Sequence, residues 1–123
     1  MKLNPDLVRD ILLTVEEIVD FETSFEYDEN DDQLCKNKYK KLKRYNNDEI
    51  MYHFHQCYFG EYFYEFKNFD DNTINIEDLS LKGHEFLANI RSDIVWNKTK
   101  ELASKFSISS LNGVTCSRRL KLL

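Results

Sequence analysis

The stretch NNDEIMYHFHQCYFGEYFYEFKNFDDNTINIEDL, residues 46–79, decides the fold of this 123-residue chain. Three good N-cap residues open it, and an amphipathic helix is predicted over about 48–59, where Gly60 ends the helix. Two strand-like segments, 62–66 and 73–78, lie on either side of a polar turn. A helix followed by such a hairpin is the order of the recognition helix and two-stranded wing of a winged helix.

The rest of the chain adds four helices and one extended segment. Apolar side chains recur at three- and four-residue spacing over 5–20 and, less regularly, over 33–45, which predicts two helices before the stretch. Between them, 21–32 has alternating aromatics and then an acidic run, which predicts a short strand or extended loop. Two C-terminal helices follow at about 81–91 and 94–106. Asn4 is the predicted N-cap of the first helix, and Ser80 that of the helix at 81–91. We therefore predict an α+β, helix-dominated, winged-helix-like domain.

Length and composition are those of one domain. A chain of 123 residues with 41 % hydrophobic residues can bury one modest core, and only 3 Gly and 1 Pro favour a compact, helix-weighted fold over disorder. We assign 1–110 to a single winged-helix-like domain and 111–123, which is basic and lacks a sustained period, to a frayed tail. Three widely spaced cysteines without a CxxC pair indicate cytosolic thiols. No run of about 18 apolar residues occurs, so we expect a cytoplasmic protein without a membrane partner.

The surface of the central stretch is acidic and aromatic. The predicted apolar face of its helix is Ile50, Phe54, Cys57 and Tyr58. The outward face and the wing hold acids and aromatic rings, residue types typical of interaction surfaces, although alternate strand residues must face the core. The aromatic-rich segment contains Tyr52, Tyr58, Phe59, Tyr62, Phe63 and Tyr64. The predicted partner-binding residues are Glu49, Tyr52, His53, Gln56, Tyr62, Tyr64, Glu65, Asp70 and Asp71.

DNA binding is the alternative, since a winged helix places its third helix in the major groove. Phosphate neutralisation supplies most non-specific DNA affinity, and the outward face of the predicted helix has no Lys or Arg. The basic residues lie instead in 33–47 and in the tail, where they would position DNA more than read its sequence. The candidate DNA-binding residues are Lys36, Lys38, Lys40, Lys41, Lys43, Arg44, Arg118 and Arg119.

No pattern in the chain predicts an enzyme or a cofactor. A phosphate-cradling Gly loop, a GxSxG elbow and an HExxH helix are all absent from the sequence. His53 and Cys57 have the spacing of half a zinc site, but only Cys35 or His55 could join them, so we predict no metal. His84 precedes a glutamate, yet adjacent helical residues point apart, so His84 is expected to pack and to hydrogen-bond to the wing or the first helix.

Three segments together resemble an uncharacterised family, a domain of unknown function found in phages, prophages and plasmids of Gram-positive bacteria. The segments are MKLNPDLVRDILLTVEE, DEIMYH and DLSLKGHEFLANIRSDIVWNKTKE, within residues 1–106. The most specific piece is L-x-x-x-GHEFL-x-NIR-x-D-x-VW, from Leu79 to Trp96. The chain departs from the family pattern at 58–61, which is aromatic and acidic instead of apolar, and after about Ser110.

The resemblance implies a winged-helix-like fold, a mobile-element origin and no established catalytic activity. Small acidic proteins that block host defence nucleases are a known class on such elements, which by analogy suggests the function. We predict a non-catalytic protein in the host bacterial cytoplasm that inhibits a host nucleic-acid-handling defence protein, such as a CRISPR effector or another defence nuclease, by occupying its nucleic-acid site. A winged-helix transcriptional regulator of the element is the alternative, and a homodimer remains open.

Overall fold

A computed structural model of the chain describes residues 1–69 and 72–103. Five α-helices and three strands form within these residues: α1 Pro5–Ile18, β1 Phe25–Asp28, α2 Asp32–Lys38, α3 Asn47–Phe59, β2 Phe63–Asn68, β3 Thr73–Leu79, α4 Leu81–Ile90 and α5 Asp93–Ala103. Two short 3-10 helices, Glu29–Asp31 and Lys40–Leu42, precede and follow α2. The predicted tail, 111–123, and the predicted end of the fifth helix lie outside the described residues.

The sheet joins the predicted wing to a strand from the N-terminal half. The strand order is β1-β3-β2 with both pairs antiparallel, and Ile76 of the central strand lies opposite Phe25 on one side and Phe66 on the other. The order α1-β1-α2-α3-β2-β3 with this pairing is winged-helix-like, so the predicted α+β, helix-dominated fold is confirmed. The wing is part of a three-stranded sheet, because the extended segment before α2 supplies β1.

Side-chain caps set where three helices begin. The Asn4 side chain accepts a hydrogen bond from the Asp6 N–H at the start of α1, where Pro5 occupies the first turn. Asn46 caps α3 by accepting from the Glu49 N–H, and Ser80 caps α4 by accepting from the Gly83 N–H. Each bond satisfies a backbone donor that has no partner within the helix, and all three caps were predicted.

The helix predicted over 33–45 is wrong in its extent, because α2 ends at Lys38. Tyr39 leaves the helical conformation, with φ −109° and ψ 84°. Its ring packs against Phe25 at 4.7 Å and its hydroxyl donates to the Glu26 carbonyl at 2.8 Å. Burying this ring against β1 therefore outweighs continuation of the helix, and the chain resumes as a 3-10 turn.

The core is organised around α1. Its buried stripe is Leu7, Val8, Ile11, Leu12 and Val15, all fully buried. This stripe faces a helix layer and the sheet together, since α1 contacts α3, α4 and β3. Each such side chain contributes about 1.5–3 kcal/mol of transfer free energy on burial, so α1 supplies a large part of the apolar stabilisation.

The polar residues of α1 are also engaged, by the α4–α5 junction. Arg9 donates from Nε to the Ile90 carbonyl at 3.2 Å, and from Nη2 to the Arg91 carbonyl and the Asp93 carboxylate, both at 2.8 Å. The Arg91 guanidinium donates two hydrogen bonds to the Glu16 carboxylate of α1, at 2.9 and 2.6 Å. Both guanidinium groups thereby fix the direction in which the chain leaves α4.

The start of α1 holds α5 in the same way. Asp6 Oδ1 accepts from the indole N–H of Trp96 at 2.8 Å and from the Lys100 ammonium at 2.9 Å. Burial alone would raise the pKa of Asp6, but these two hydrogen bonds outweigh it and hold the pKa below its usual value. The indole is 2 % exposed, so its N–H needs this acceptor.

A close approach between α4 and the start of β2 buries Tyr62. A Cβ added to Gly83 would lie 2.2 Å from the Tyr62 carbonyl oxygen. The Tyr62 ring stacks on Phe86 at 4.8 Å with an interplanar angle of 2°, and the residue is 1 % exposed. The prediction that Tyr62 contacts a partner is therefore wrong, because this ring is the contact surface between the hairpin and α4.

His53 is fully buried, which contradicts its predicted place on the outward face of α3. The buried stripe of α3 is Ile50, His53, Phe54 and Cys57, a helical i, i+3, i+4, i+7 pattern. Both ring nitrogens are satisfied: Nε2 accepts from the Asn4 N–H at 2.7 Å, and Nδ1 donates to the Glu49 carbonyl at 2.8 Å. A neutral imidazole in this tautomer suits the core. Tyr58, predicted to face inward, lies beyond this stripe and is 48 % exposed.

We expect Gly83→Ala to lower the free energy of unfolding by about 2–3 kcal/mol, because its methyl group must displace the backbone of Tyr62. Gly60→Ala is the matched control, since its Cβ would meet no described atom closer than 3.5 Å and its φ is −78°. The control should leave stability unchanged or raise it by up to about 1 kcal/mol. Urea unfolding measures both, and equal effects of the two variants would contradict the close approach.

Stability should fall as the pH drops from 7 to 5, with His53 as one cause. Burial lowers the pKa of His53 below its usual value of 6.5, so below pH 6.5 the unfolded chain binds more protons than the folded chain. The contribution of the neutral ring is therefore complete above about pH 6.5 and is lost as pH falls towards the folded-state pKa.

The pH dependence is tested with His53→Gln, whose amide oxygen can accept from the Asn4 N–H without titrating. Unfolding free energies measured by urea at pH 5, 6 and 7 should vary less in this variant than in the natural chain. His84→Gln is the control, because the His84 side chain is 44 % exposed. A slope that His53→Gln leaves unchanged would refute the assignment.

Candidate protein-binding surface

Aromatic side chains from α3 and β2 form a continuous stack that runs from the core to the surface. We call Phe63, Phe66, Tyr58 and Phe59 the aromatic ladder. Phe63 and Phe66 lie 5.8 Å apart, Phe66 and Tyr58 4.9 Å, and Tyr58 and Phe59 5.8 Å, between ring centroids. Exposure rises along the ladder from 8 % at Phe63 to 48 % at Tyr58 and 67 % at Phe59. Tyr58 and Phe59, at the outer end of the ladder, are thus exposed to solvent.

A left-handed residue in β2 makes the ladder possible. Successive residues of a regular strand point to opposite faces, so residues 63 and 66 would lie on opposite sides of the sheet. Glu65 has φ 56°, and across it Phe63 and Phe66 come onto the same face with their rings only 10° from parallel. This conformation costs a non-glycine residue about 1–2 kcal/mol, which the packing of the rings must offset.

His55 closes one edge of the ladder. Its ring meets Phe66 edge-on at 5.4 Å and lies 6.3 Å from Phe59. Its Nε2 is 3.2 Å from the Asn68 side-chain nitrogen, so a hydrogen bond from the amide fixes the ring when Nε2 carries no proton. The imidazole therefore orients the exposed end of α3 against β2.

The elements that carry the ladder, together with β3, have a negative net charge. In α3, β2 and β3 as the structure describes them, Lys67 is the one Lys or Arg. The acids of these three elements are Asp48, Glu49, Glu65, Glu77 and Asp78. Glu61, in the turn that follows α3, has its carboxylate 81 % exposed, and 3.8 Å separates it from the Lys82 ammonium. The surface as a whole would attract cations.

The predicted partner-binding residues fall into three groups. Glu49, Tyr52 and Gln56 are half-buried on α3, and Tyr64 and Glu65 are exposed on β2. His53 and Tyr62 lie in the core, as described above. Asp70 and Asp71 lie outside the described residues.

The site prediction missed His55, Tyr58, Phe59 and Phe66. Tyr58 and Phe59 belong to the aromatic-rich segment, so their composition was a usable signal. No such signal marks Phe66, because its place in the ladder depends on the left-handed conformation of Glu65. A glutamate within a strand-like segment gives no warning of such a turn.

The candidate DNA-binding residues lie on a different part of the molecule. Lys38, Lys40 and Lys41 line a cleft of about 320 Å³ against the C-terminal half of α1. Lys41 pairs with Glu17 of α1 at 3.0 Å, and Arg44 pairs with Asp10 at 3.0 Å. Lys36 lies in α2 and Lys43 in the linker to α3, and Arg118 and Arg119 lie outside the described residues. Two of the predicted DNA contacts are thus already engaged by acids of α1.

The candidate zinc ligands do not converge. Cys57 is fully buried, and burial raises the pKa of its thiol, which disfavours the thiolate that a metal requires. The Cys35 sulfur accepts a hydrogen bond from the Asp28 N–H, and burial raises the pKa of this thiol too. Over residues 1–69 and 72–103, no three His, Cys, Asp or Glu side chains are grouped to hold an ion.

His84 lies beside the wing, but its predicted packing role is wrong. Its Nε2 is 3.5 Å from the Asp78 carboxylate of β3. The side chain is 44 % exposed, so it contacts the wing from the surface and is not a packing residue.

None of the helices described is long and apolar enough to cross a membrane.

The residues from Leu79 to Trp96 that carry the family resemblance have structural roles. Gly83 admits the Tyr62 backbone, and Arg91, Asp93 and Trp96 bind α1. Comparison with curated proteins and with solved structures finds no match. The model of one family, described as Hypothetical protein (DUF2513), matches residues 2–109. That match confirms the resemblance to an uncharacterised family, and the chain belongs to the DUF2513 family.

Proposed function

We propose that this chain is a non-catalytic binding protein whose aromatic ladder and surrounding carboxylates attach to a basic protein surface. The observation that carries the proposal is the exposed end of the ladder, Tyr58 and Phe59, on an acidic face. The partner we propose is a nucleic-acid-handling defence protein of the host, such as a CRISPR effector or another nuclease, which the chain inhibits by covering its nucleic-acid site. A mobile-element origin and a cytoplasmic location in the host are parts of this proposal.

Contiguous exposed rings support a protein partner. Isolated apolar side chains are normal on a protein surface, but apolar groups in contact with one another mark interaction sites. Tyr58 contacts both Phe59 and Phe66, and both Tyr58 and Phe59 are exposed. Tyrosine and phenylalanine are enriched at the centres of interfaces, where their rings fill pockets of the partner.

The charge supports a basic partner over DNA. A nucleic-acid interface requires Lys and Arg where the phosphates lie, and α3 with the wing has Lys67 alone among its described residues. Carboxylates on the same surface speed and orient the approach of a cationic protein, such as one that itself binds nucleic acid. The ladder would then form the centre of the interface and the acids its rim.

A DNA-binding regulator is the second candidate, and the winged-helix-like arrangement favours it. The basic residues of 33–47 immediately precede α3, where the first helix of a helix-turn-helix contacts the DNA backbone. The ion pairs of Lys41 and Arg44 with α1 weaken this alternative, since those cations would have to give up Glu17 and Asp10.

Affinity capture from host lysate tests the protein partner. The tagged full chain should retain a basic protein, and Tyr58→Ala or Glu65→Lys should reduce its recovery about tenfold or more, as expected for the centre of an interface. Phe21→Ala is the matched control, because Phe21 is 104 % exposed and lies between two acids but joins no ring stack within 1–69 and 72–103. Recovery of nothing above background would count against the proposal, as would equal losses in Phe21→Ala and Tyr58→Ala.

A gel-shift assay on the promoter of the gene itself tests the regulator. If the protein-binding proposal is right, the chain should not shift this DNA even at low salt. Salt-sensitive binding that Lys40→Glu plus Lys43→Glu abolishes would favour the regulator instead. Lys43 is chosen over Lys41, because Lys41→Glu would place a second carboxylate beside Glu17 and disturb the fold.

A further inference from the structure

We infer that the exposed end of the aromatic ladder recognises arginine side chains, in preference to lysine, on its partner. The inference rests on the proposed function, since it names the chemistry by which the same surface selects a basic protein. It joins two observations, the open ring faces of Tyr58 and Phe59 and the carboxylates that lie close to them in the chain.

The chemistry of the two cations differs at such a surface. A guanidinium group is planar and weakly hydrated, so it stacks on an aromatic face while its edge donates two parallel hydrogen bonds to a carboxylate. An ammonium group is compact and strongly hydrated, and gains less from a ring. Stacked rings with nearby carboxylates therefore bind arginine in preference to lysine, although the two side chains carry the same charge.

The ladder supplies both components. The Tyr58 and Phe66 rings are 23° from parallel at 4.9 Å, so Tyr58 is held against Phe66 while 48 % of the residue stays exposed. Glu65 directly precedes Phe66, and Glu61 follows Phe59 by two residues, so both exposed carboxylates belong to the segment that carries the rings. Glu65 is the principal candidate acceptor, because the Glu61 carboxylate already lies 3.8 Å from the Lys82 ammonium. Both glutamates have a left-handed φ, of 56° and 65°, which fixes the course of the backbone around the ladder.

The chain uses the same arrangement internally. The Arg44 guanidinium lies 4.9 Å from the centroid of the Tyr45 ring and 3.0 Å from the Asp10 carboxylate. Arg9 lies 5.8 Å from the Trp96 ring and 2.8 Å from Asp93. Among the described residues, no Lys or Arg lies over Tyr58, Phe59 or Phe66 in this way. Lysine fills such a position too, since the Lys100 ammonium lies 5.7 Å from the Trp96 ring and 2.9 Å from the Asp6 carboxylate. The ladder thus offers rings and acids of the kind that both cations fill elsewhere in the fold, and the preference for arginine follows from the chemistry of the guanidinium group.

Single-stranded nucleic acid is the other ligand that stacks on exposed rings. Its phosphates would meet Glu61 and Glu65, so we expect it to bind more weakly than a cationic peptide. It therefore enters the experiment as a competing probe.

The experiment titrates the full chain with two peptides of equal charge, (Gly-Arg)4 and (Gly-Lys)4, and with a single-stranded oligonucleotide. Binding is measured by calorimetry, and the ring signals of Tyr58 and Phe59 are followed by NMR. We expect the arginine peptide to bind about tenfold more tightly than the lysine peptide. Tyr58→Leu should abolish most of this preference, and Glu65→Gln should reduce it, while both variants stay folded because both sites are exposed. Phe21→Leu should leave it unchanged.

Each other outcome overturns the inference. Equal affinity for the two peptides would show attraction by charge alone, and tighter binding of the oligonucleotide would show a nucleic-acid surface. Binding of neither peptide would refute arginine recognition even if lysate capture succeeds. Conversely, failure of lysate capture together with a clear arginine preference would refute the proposed host partner and leave the ligand chemistry standing.

Discussion

Arg9 donates hydrogen bonds to the carbonyl oxygens of Ile90 and Arg91 and to the Asp93 carboxylate, and through them α1 holds the junction of α4 and α5. The bond to the Ile90 carbonyl is partly buried, where a hydrogen bond of a charged group contributes about 1.5–3 kcal/mol to stability, and the two exposed bonds contribute less because water screens them. The apolar stripe of the same helix packs on α3 and β3. Because α1 contacts both the C-terminal helices and the winged-helix layer, a change in its position would propagate to the wing and to the exposed end of α3.

The helices and strands could be predicted closely from periodicity and caps, since those signals are local. Asn4, Asn46 and Ser80 cap helices where the sequence places them. The failures occur where distant contacts decide. Tyr39 leaves its helix to pack on β1, and Tyr62 is buried by a stack with Phe86 that lies 24 positions later in the chain.

The candidate surface was predictable in its charge but not in its geometry. Acid content can be read from the sequence, and it predicts a face unsuited to phosphate. The sequence does not show whether a histidine is buried with both ring nitrogens hydrogen-bonded or lies on the surface. For His53 the structure decides, because its Nε2 accepts a hydrogen bond from the Asn4 N–H. The left-handed φ of Glu65 lies beyond sequence reasoning, since a glutamate in a strand-like segment does not signal it.

The conformation of Glu65 also bears on solubility. In the described sheet β2 is an outer strand, so one row of its backbone N–H and C=O groups has no neighbouring strand, and such an edge can recruit another chain. Exposed rings beside it would strengthen that tendency. A residue at φ 56° turns its peptide groups out of the straight row that a further strand would have to match, and its side chain adds a negative charge at the same point. The backbone turn that aligns the ladder thus also protects the open side of the sheet from edge-to-edge aggregation.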